Sequence, residues 1–177
     1  MMTRLNLITS AVLTMLIITN VLQLLKMRRL SDDNTNLKQR MVLYEHHDTY
    51  SMEYIPDSIR QLAYAMLFVE SSGNDTVVQR KTKAVGCMQI RKIMVDEVNR
   101  ICKLNKHTIR FDYADRYNRR ASLTMFSIWY QHHHVHNTLQ HIARNWNGGP
   151  LGFKSDNTIN YWLKVRIRMR QTNYHVK

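Results

Sequence analysis

Phe68-Val69-Glu70-Ser71-Ser72-Gly73-Asn74 is the stretch whose reading decides the fold. One carboxylate closes an apolar run and is followed at once by small, turn-forming residues. Apolar neighbours disfavour ionisation of a carboxyl, and small residues leave room for a ligand beside it. Just upstream, Ile55-Pro56-Asp57-Ser58 carries helix-start signals, with Pro near the first helical position and Asp in the first turn. Ile59, Leu62, Ala63, Met66 and Leu67 then recur at helical spacing. The pattern predicts a helix ending at Glu70, broken by Ser71-Ser72-Gly73-Asn74. Taken alone, a helix-end glutamate is most simply a solvated side chain.

Downstream, residues 75–85 are polar and basic and read as a loop or short hairpin crossing the mouth of a cleft. Gly86-Cys87-Met88-Gln89-Ile90 is an apolar turn with one amide side chain. A second helix is expected over 91–103, with Ile90, Met94, Val98 and Ile101 inward. After a polar connection from Asp112 to Asn118, a long helix over 119–135 supplies Leu123, Phe126, Ile128, Trp129 and Tyr130 to the core. A shorter helix over 138–146 is closed by Asn147-Gly148-Gly149-Pro150. A last helix over 158–170 carries Tyr161, Trp162, Val165 and Met169. The fold class is therefore mainly α. Only five Gly and two Pro argue against a loop-rich β design, and an apolar share of 44% excludes a disordered chain.

The N-terminal part reads differently. Leu5 to Leu25 is uncharged throughout, with Arg4 before it and Lys26, Arg28 and Arg29 after it. About 20 apolar residues cross a bilayer core, so one N-terminal transmembrane helix is expected. A secretory signal has a shorter apolar core and a small-residue cleavage site, which Lys26-Met27-Arg28-Arg29 does not offer. A signal with an unusual cut and a surface-lying amphipathic helix are the competing readings. The expected organisation is a membrane anchor or signal segment over 1–29, a polar linker over 30–54, and one domain over 55–177 with a basic tail. His46 and His47 fall in the linker. Basic residues are denser after the apolar segment than before it, which by the positive-inside rule holds the domain in the cytoplasm.

Lys and Arg number 26 against 13 Asp and Glu, a net charge of +13. Such a surplus points to an anionic partner: nucleic acid, lipid headgroups or an acidic polymer. Its bland alternative is solubility, and residues 157–177, which hold no acid, read as a solvated helix face and tail. No helix-turn-helix, zinc-finger or RNA-binding signature is present, so no specific nucleic acid is expected. Cys87 and Cys102 are too few for a disulfide scaffold; they are free buried thiols or a single bridge. His132 and His136, four apart, invite a metal reading, but a zinc site needs about four ligands and no Cys or acid motif joins them. Neither metal nor cofactor is expected.

Four short blocks stand in order: Glu70-Ser71-Ser72-Gly73-Asn74, Val85-Gly86-Cys87-Met88-Gln89-Ile90, Asn145-Trp146-Asn147-Gly148-Gly149-Pro150 and Tyr161-Trp162-Leu163-Lys164-Val165. Together they resemble the lysozyme-like superfamily, in its soluble lytic transglycosylase and goose-type lysozyme branch. That branch shows a Glu-Ser-Gly block, a Gly-x-Met-Gln-Ile block, an Asn-Tyr-Asn-Gly-like block and a late Tyr. The resemblance covers roughly residues 55–170. Cys87 stands where the family commonly has Leu, and Trp146 where it has Tyr, which removes a hydroxyl from the cleft. The Asn147-Gly148-Gly149-Pro150 form is most similar to transglycosylase-like proteins of Bacteroidetes and their phages.

The resemblance implies a helical domain with a substrate cleft that cleaves the β-1,4 bond between N-acetylmuramic acid and N-acetylglucosamine in peptidoglycan. Glu70 would be the single catalytic acid and base. Ser71 or Ser72 would hydrogen-bond near it, Met88 and Gln89 would line the sugar subsites, Asn145, Trp146 and Asn147 would border the cleft, and Tyr161 would approach the acid. Protonating a glycosidic oxygen at neutral pH requires a carboxyl of raised pKa, so no Lys or Arg should point at Glu70. No second acid stands in a matching block, which favours a single-acid route and a 1,6-anhydro product. The partners implied are peptidoglycan glycan strands and, through residues 5–25, a membrane. Its place would be membrane-anchored facing the wall in the periplasm, or on a virion if phage-encoded. That location conflicts with the positive-inside count. The alternatives are a hydrolytic muramidase, a non-catalytic wall-binding or virion component, and a basic nucleic-acid-binding protein.

Overall fold

The computed structural model describes residues 15–35, 52 and 54–173, and the chain divides into two compact units, Met1–Tyr44 and Glu45–Lys177. In the first, residues 15–35 form helix α1. Met15, Ile17, Ile18, Leu22 and Leu25 are all exposed on it. It continues through Thr35, past the position where a linker was expected to begin. Among the described residues no helix is long and apolar enough to cross a membrane. Residues 5–14 of the expected span lie outside the described residues, as do His46, His47 and most of the linker.

The second unit is mainly α-helical. Helix α2 (Asp57–Ser71) starts after Pro56 and buries Ile59, Leu62, Ala63, Met66 and Leu67, the stripe that the sequence spacing marks out, together with Ala65. It ends because Ser72 turns left-handed (φ 55°) and Gly73 follows at φ 83°, while the Ser72 N–H caps the Phe68 carbonyl. A small antiparallel hairpin follows, β1 (Val78–Gln79) with β2 (Ala84–Val85), paired Val78 to Val85 and Gln79 to Ala84. A tight turn then folds Ile90 back onto Val85. Helix α3 (Lys92–Leu104) buries Val95, Val98, Ile101 and Cys102. Val95 takes the core place expected of Met94, which is half-buried on another side.

Asn99 pins the extended chain beyond α3 by bonding both the N–H and the carbonyl of Phe111, at 2.8 and 2.9 Å. The expected polar connection is a 3₁₀ turn, Tyr113–Tyr117, closed by reciprocal Asp112 and Asp115 capping bonds. Helix α4 (Arg119–His133) is capped by the Asn118 side chain and is buried continuously from Met125 to Tyr130. Burial on all sides marks it as the central helix. Helix α5 (Leu139–Gly148), capped by Thr138, buries Ile142 to Trp146. Two short 3₁₀ turns, Gly152–Lys154 and Asp156–Thr158, lead into α6 (Ile159–Asn173). Helix α2 packs on α6 and α5, α3 packs on α4, and α5 packs on α6. Trp146 of α5 meets Phe126 and Trp129 of α4 edge-on, with centroids 5.3 and 5.2 Å apart, a geometry worth about 1 kcal/mol per pair beyond area burial.

Helix α4 stops at His133, so His136 lies in the turn beyond and shares no helix face with His132. Cys87 and Cys102 are both free and buried.

Candidate active site

The C-terminal turn of α2, the hairpin, α3, α4 and α5 enclose a cleft of about 1090 Å³. Glu70 lies in its wall, with Gln89, Asn145, Trp146 and Asn147. Gln79, Thr82 and Ala84 of the hairpin line it as well. Residues 70 and 89 are thereby brought to one cleft. Ser71 donates from Oγ to the Cys87 carbonyl at 3.0 Å and accepts from the Gly73 N–H at 3.1 Å. Ser71 therefore ties the end of α2 to the Gly86–Ile90 turn rather than lining the cleft. Ser72 is exposed and serves as the left-handed cap.

Burial raises the Glu70 carboxyl from 4.5 to about 7, and the neighbouring Tyr161 hydroxyl opposes this weakly. No Lys or Arg among the described residues contributes, and the last turn of α2 holds no basic residue. A carboxyl in this state is protonated over much of the neutral range, as an acid catalyst must be. Tyr161 reaches the site from α6. Its hydroxyl is sealed from solvent beside Glu70, yet it makes no hydrogen bond of normal geometry. Catalytic contacts are often long until a ligand tightens them. Because the hydroxyl is the one influence holding the Glu70 pKa down, Tyr161→Phe should raise that pKa further. The alkaline limb of a pH–rate profile should then move to higher pH, with a stability change of less than about 1 kcal/mol on thermal melting.

Gln89 adopts a left-handed backbone (φ 47°), unusual for a residue with a side chain. Its Nε2 donates to the carbonyls of Gly86 at 2.9 Å and Val77 at 3.3 Å. The amide NH2 is thus spent on backbone carbonyls of its own turn and of the residue before β1, and Oε1 is the atom left for a ligand. Asn145 is 5% exposed and accepts from the Phe153 N–H at 2.7 Å through Oδ1. Its Nδ2 has no partner among the described residues and is the donor Asn145 can offer. Trp146 packs in the aromatic cluster and donates from Nε1 to the Met88 carbonyl at 3.3 Å. That bond joins α5 to the Gly86–Ile90 turn. Met88 itself is fully buried and does not line the cleft, so its side chain is core.

The sequence reading missed half of the cleft. Met94 and Glu97 of α3, His133 and His134 at the end of α4, and Asn137 and His141 beyond it also line it. Glu97 is a second carboxylate in the same cleft. Both its oxygens are engaged: Oε2 by Arg100 Nε at 2.7 Å, and Oε1 by Arg100 at 2.8 Å and His133 Nε2 at 2.8 Å. The Arg100 guanidinium, with His133 adding, holds this carboxyl down at about 2. Burial and the neighbouring His133 and His141 push His134 down to about 4, so it is neutral at physiological pH. The usable signal was on α3, where Ile93, Met94 and Glu97 form a side distinct from the Val95–Val98–Cys102 stripe. Among the described residues, no group of three or more His, Cys, Asp or Glu is arranged to hold a metal ion.

Compared with models of protein families, with curated proteins and with solved structures, the chain matches none.

Proposed function

We propose that this protein is a peptidoglycan lytic transglycosylase with a lysozyme-like helical domain. Glu70 donates its proton to the oxygen of the β-1,4 bond between N-acetylmuramic acid and N-acetylglucosamine, and that bond breaks. The N-acetyl carbonyl of the same muramic sugar stabilises the cationic carbon. Asn145 Nδ2 and Gln89 Oε1 hold the sugar in the cleft. The Glu70 carboxylate then takes the proton of the sugar's 6-hydroxyl, whose oxygen closes a 1,6-anhydro ring. Glu70 ends protonated, and no water is consumed.

The observation that carries this reading is one carboxyl, raised to about 7 by burial, in the wall of a cleft it shares with Gln89, Asn145 and Asn147. The sequence resemblance supports the substrate class. Attachment through residues 5–25, facing the wall or carried on a virion, belongs to the same proposal.

Glu97 favours a second reading, hydrolysis, because two carboxyls with pKa values pushed apart are the pattern of an acid and its partner. Arg100 and His133 occupy both Glu97 oxygens, however, and an anion held at about 2 is a weak base for water. Ring closure is therefore preferred. Purified sacculi digested with the full chain should release muropeptides with anhydro ends, seen by mass spectrometry. Reducing ends would establish the muramidase, and binding without release would leave only a wall-binding protein. Glu97→Gln should keep the anhydro product and lose less than about tenfold in rate; a loss comparable to a general base, about 10²-fold or more, would assign Glu97 to the chemistry.

A further inference from the structure

Helix α6 carries apolar residues on two opposite sides. Tyr161 and Val165, with the half-buried Trp162 and Met169, face the core. Ile159, Leu163 and Ile167 recur every fourth residue and so share a face, and they are 38%, 38% and 55% exposed. Lys164 is exposed to one side of that stripe, and the exposed Arg166 and Arg170, seven residues after Ile159 and Leu163, lie along it. Arg168 does not belong to it, since its guanidinium lies 3.6 Å over the Phe68 ring of α2. No Asp or Glu occurs in residues 157–177.

A solvated face accounts for the cations but not for three aliphatic side chains aligned among them. An aliphatic stripe interspersed with long Lys and Arg side chains suits a headgroup layer: the stripe enters the boundary between headgroups and acyl chains, and the cations reach phosphate. Charge complementarity selects an anionic partner, because the chain as a whole carries +13. Exposed aliphatics select lipid over a purely polar polymer. The membrane attachment proposed above for the uncharged segment from Leu5 to Leu25 would bring lipid within reach of this chain. We propose that the outer face of α6 docks on an anionic lipid surface, with Ile159, Leu163 and Ile167 entering it and Lys164, Arg166 and Arg170 on the phosphates. This docking does not depend on the chemistry of Glu70.

Cys87 and Cys102 are buried, so an environment-sensitive fluorophore on Leu163→Cys in the full chain reports from one place. Reconstituted with phosphatidylcholine vesicles containing phosphatidylglycerol, its emission should shift to the blue, and salt should reverse the shift. Phosphatidylcholine alone should give no shift, although the N-terminal segment can insert into both kinds of vesicle. Replacing Lys164, Arg166 and Arg170 together by Gln should raise the lipid concentration for a half-maximal shift about tenfold or more. A second label at Ile167→Cys should behave alike, which separates docking from a disturbance made by the label. No shift with phosphatidylglycerol overturns the proposal. So does an equal shift on phosphatidylcholine, which would report insertion of the N-terminal segment alone. A shift that grows with protein concentration without vesicles would mean a second copy of the chain. One that needs sacculi or duplex DNA would mean a polymer. Either would also overturn it.

Discussion

Glu70→Gln is expected to abolish release of soluble muropeptides while making the protein more stable at alkaline pH. The first effect is the loss of a general acid and base, about 10²- to 10⁴-fold. The second follows from the carboxyl's pKa, raised by burial from 4.5 to about 7. Below pH 4.5 the group is protonated in both the folded and unfolded chain, and it leaves stability unchanged. Between 4.5 and 7 the unfolded chain gives up the proton and the folded chain keeps it, so stability falls as pH rises. Above about 7 the loss is complete, at roughly 3 kcal/mol. Gln is never charged and escapes this penalty. Urea denaturation of both forms should therefore coincide near pH 4 and diverge by up to about 3 kcal/mol at pH 8, with the variant more stable. Parallel curves would mean that the Glu70 carboxyl ionises freely in the folded protein. It could not then serve as an acid at neutral pH, and the proposed chemistry would fall with it.

Gly86→Ala is expected to destroy the cleft by a route that touches no reacting group. A Cβ at Gly86 would stand 1.8 Å from the Arg116 carbonyl oxygen and 2.9 Å from its carbon, and the residue also sits at φ 77°. Backbone cannot rotate away as a side chain can. Arg116 is also held in place: its guanidinium donates to the carbonyls of Tyr113 at 2.7 Å, Lys83 at 3.3 Å and Ile90 at 3.2 Å. Destabilisation above about 4 kcal/mol is expected, read as a collapse of the thermal transition. Gly149→Ala is the control. Gly149 has nearly the same φ, 79°, but nothing lies within 4 Å of its added Cβ. Its cost should be the backbone alone, held at φ 79° and ψ −168° in a region open almost only to glycine, about 1–3 kcal/mol. Equal losses at the two positions would show that the approach of Arg116 to Gly86 does not matter. Because Gln89 hangs on the Gly86 carbonyl, any folded Gly86→Ala protein should also lose activity.

Much of the helical framework was legible because α2 buries one stripe and α4 buries one continuous apolar run. The Ile59 to Leu67 spacing names the core face of α2 except for Ala65, and the Leu123 to Tyr130 run names the buried length of α4. Met94 was misassigned because α3 has apolar residues on two sides; Val95 and Met94 are adjacent, and only packing against α4 decides which one faces the core. Helix ends were less legible. The Asn147-Gly148-Gly149-Pro150 run promised a stop before Gly148, yet α5 runs through Gly148 and turns at Gly149. The site was legible as far as Glu70, Gln89, Asn145 and Asn147, which share the cleft. Met88 belongs to the core and Ser71 to the scaffold, a distinction of direction that neighbouring letters in a block do not carry.

By itself the amino-acid sequence determined the order and kind of the helices, the break after Glu70 and the basic, acid-free character of the last one. Those are local properties, set by periodicity, capping residues and charge, and they need no partner to exist. Only the tertiary structure decided what Glu70 is. Its carboxyl is raised because α2, the Gly86–Ile90 turn, α5 and Tyr161 of α6 close around it, and desolvation is a property of everything packed nearby. Tertiary structure likewise brought Glu97 and His133 into the same cleft, since residues on α3 and at the end of α4 meet only when those helices pack. It also left Ile159, Leu163 and Ile167 outside the core, a fact that the spacing alone could not distinguish from burial.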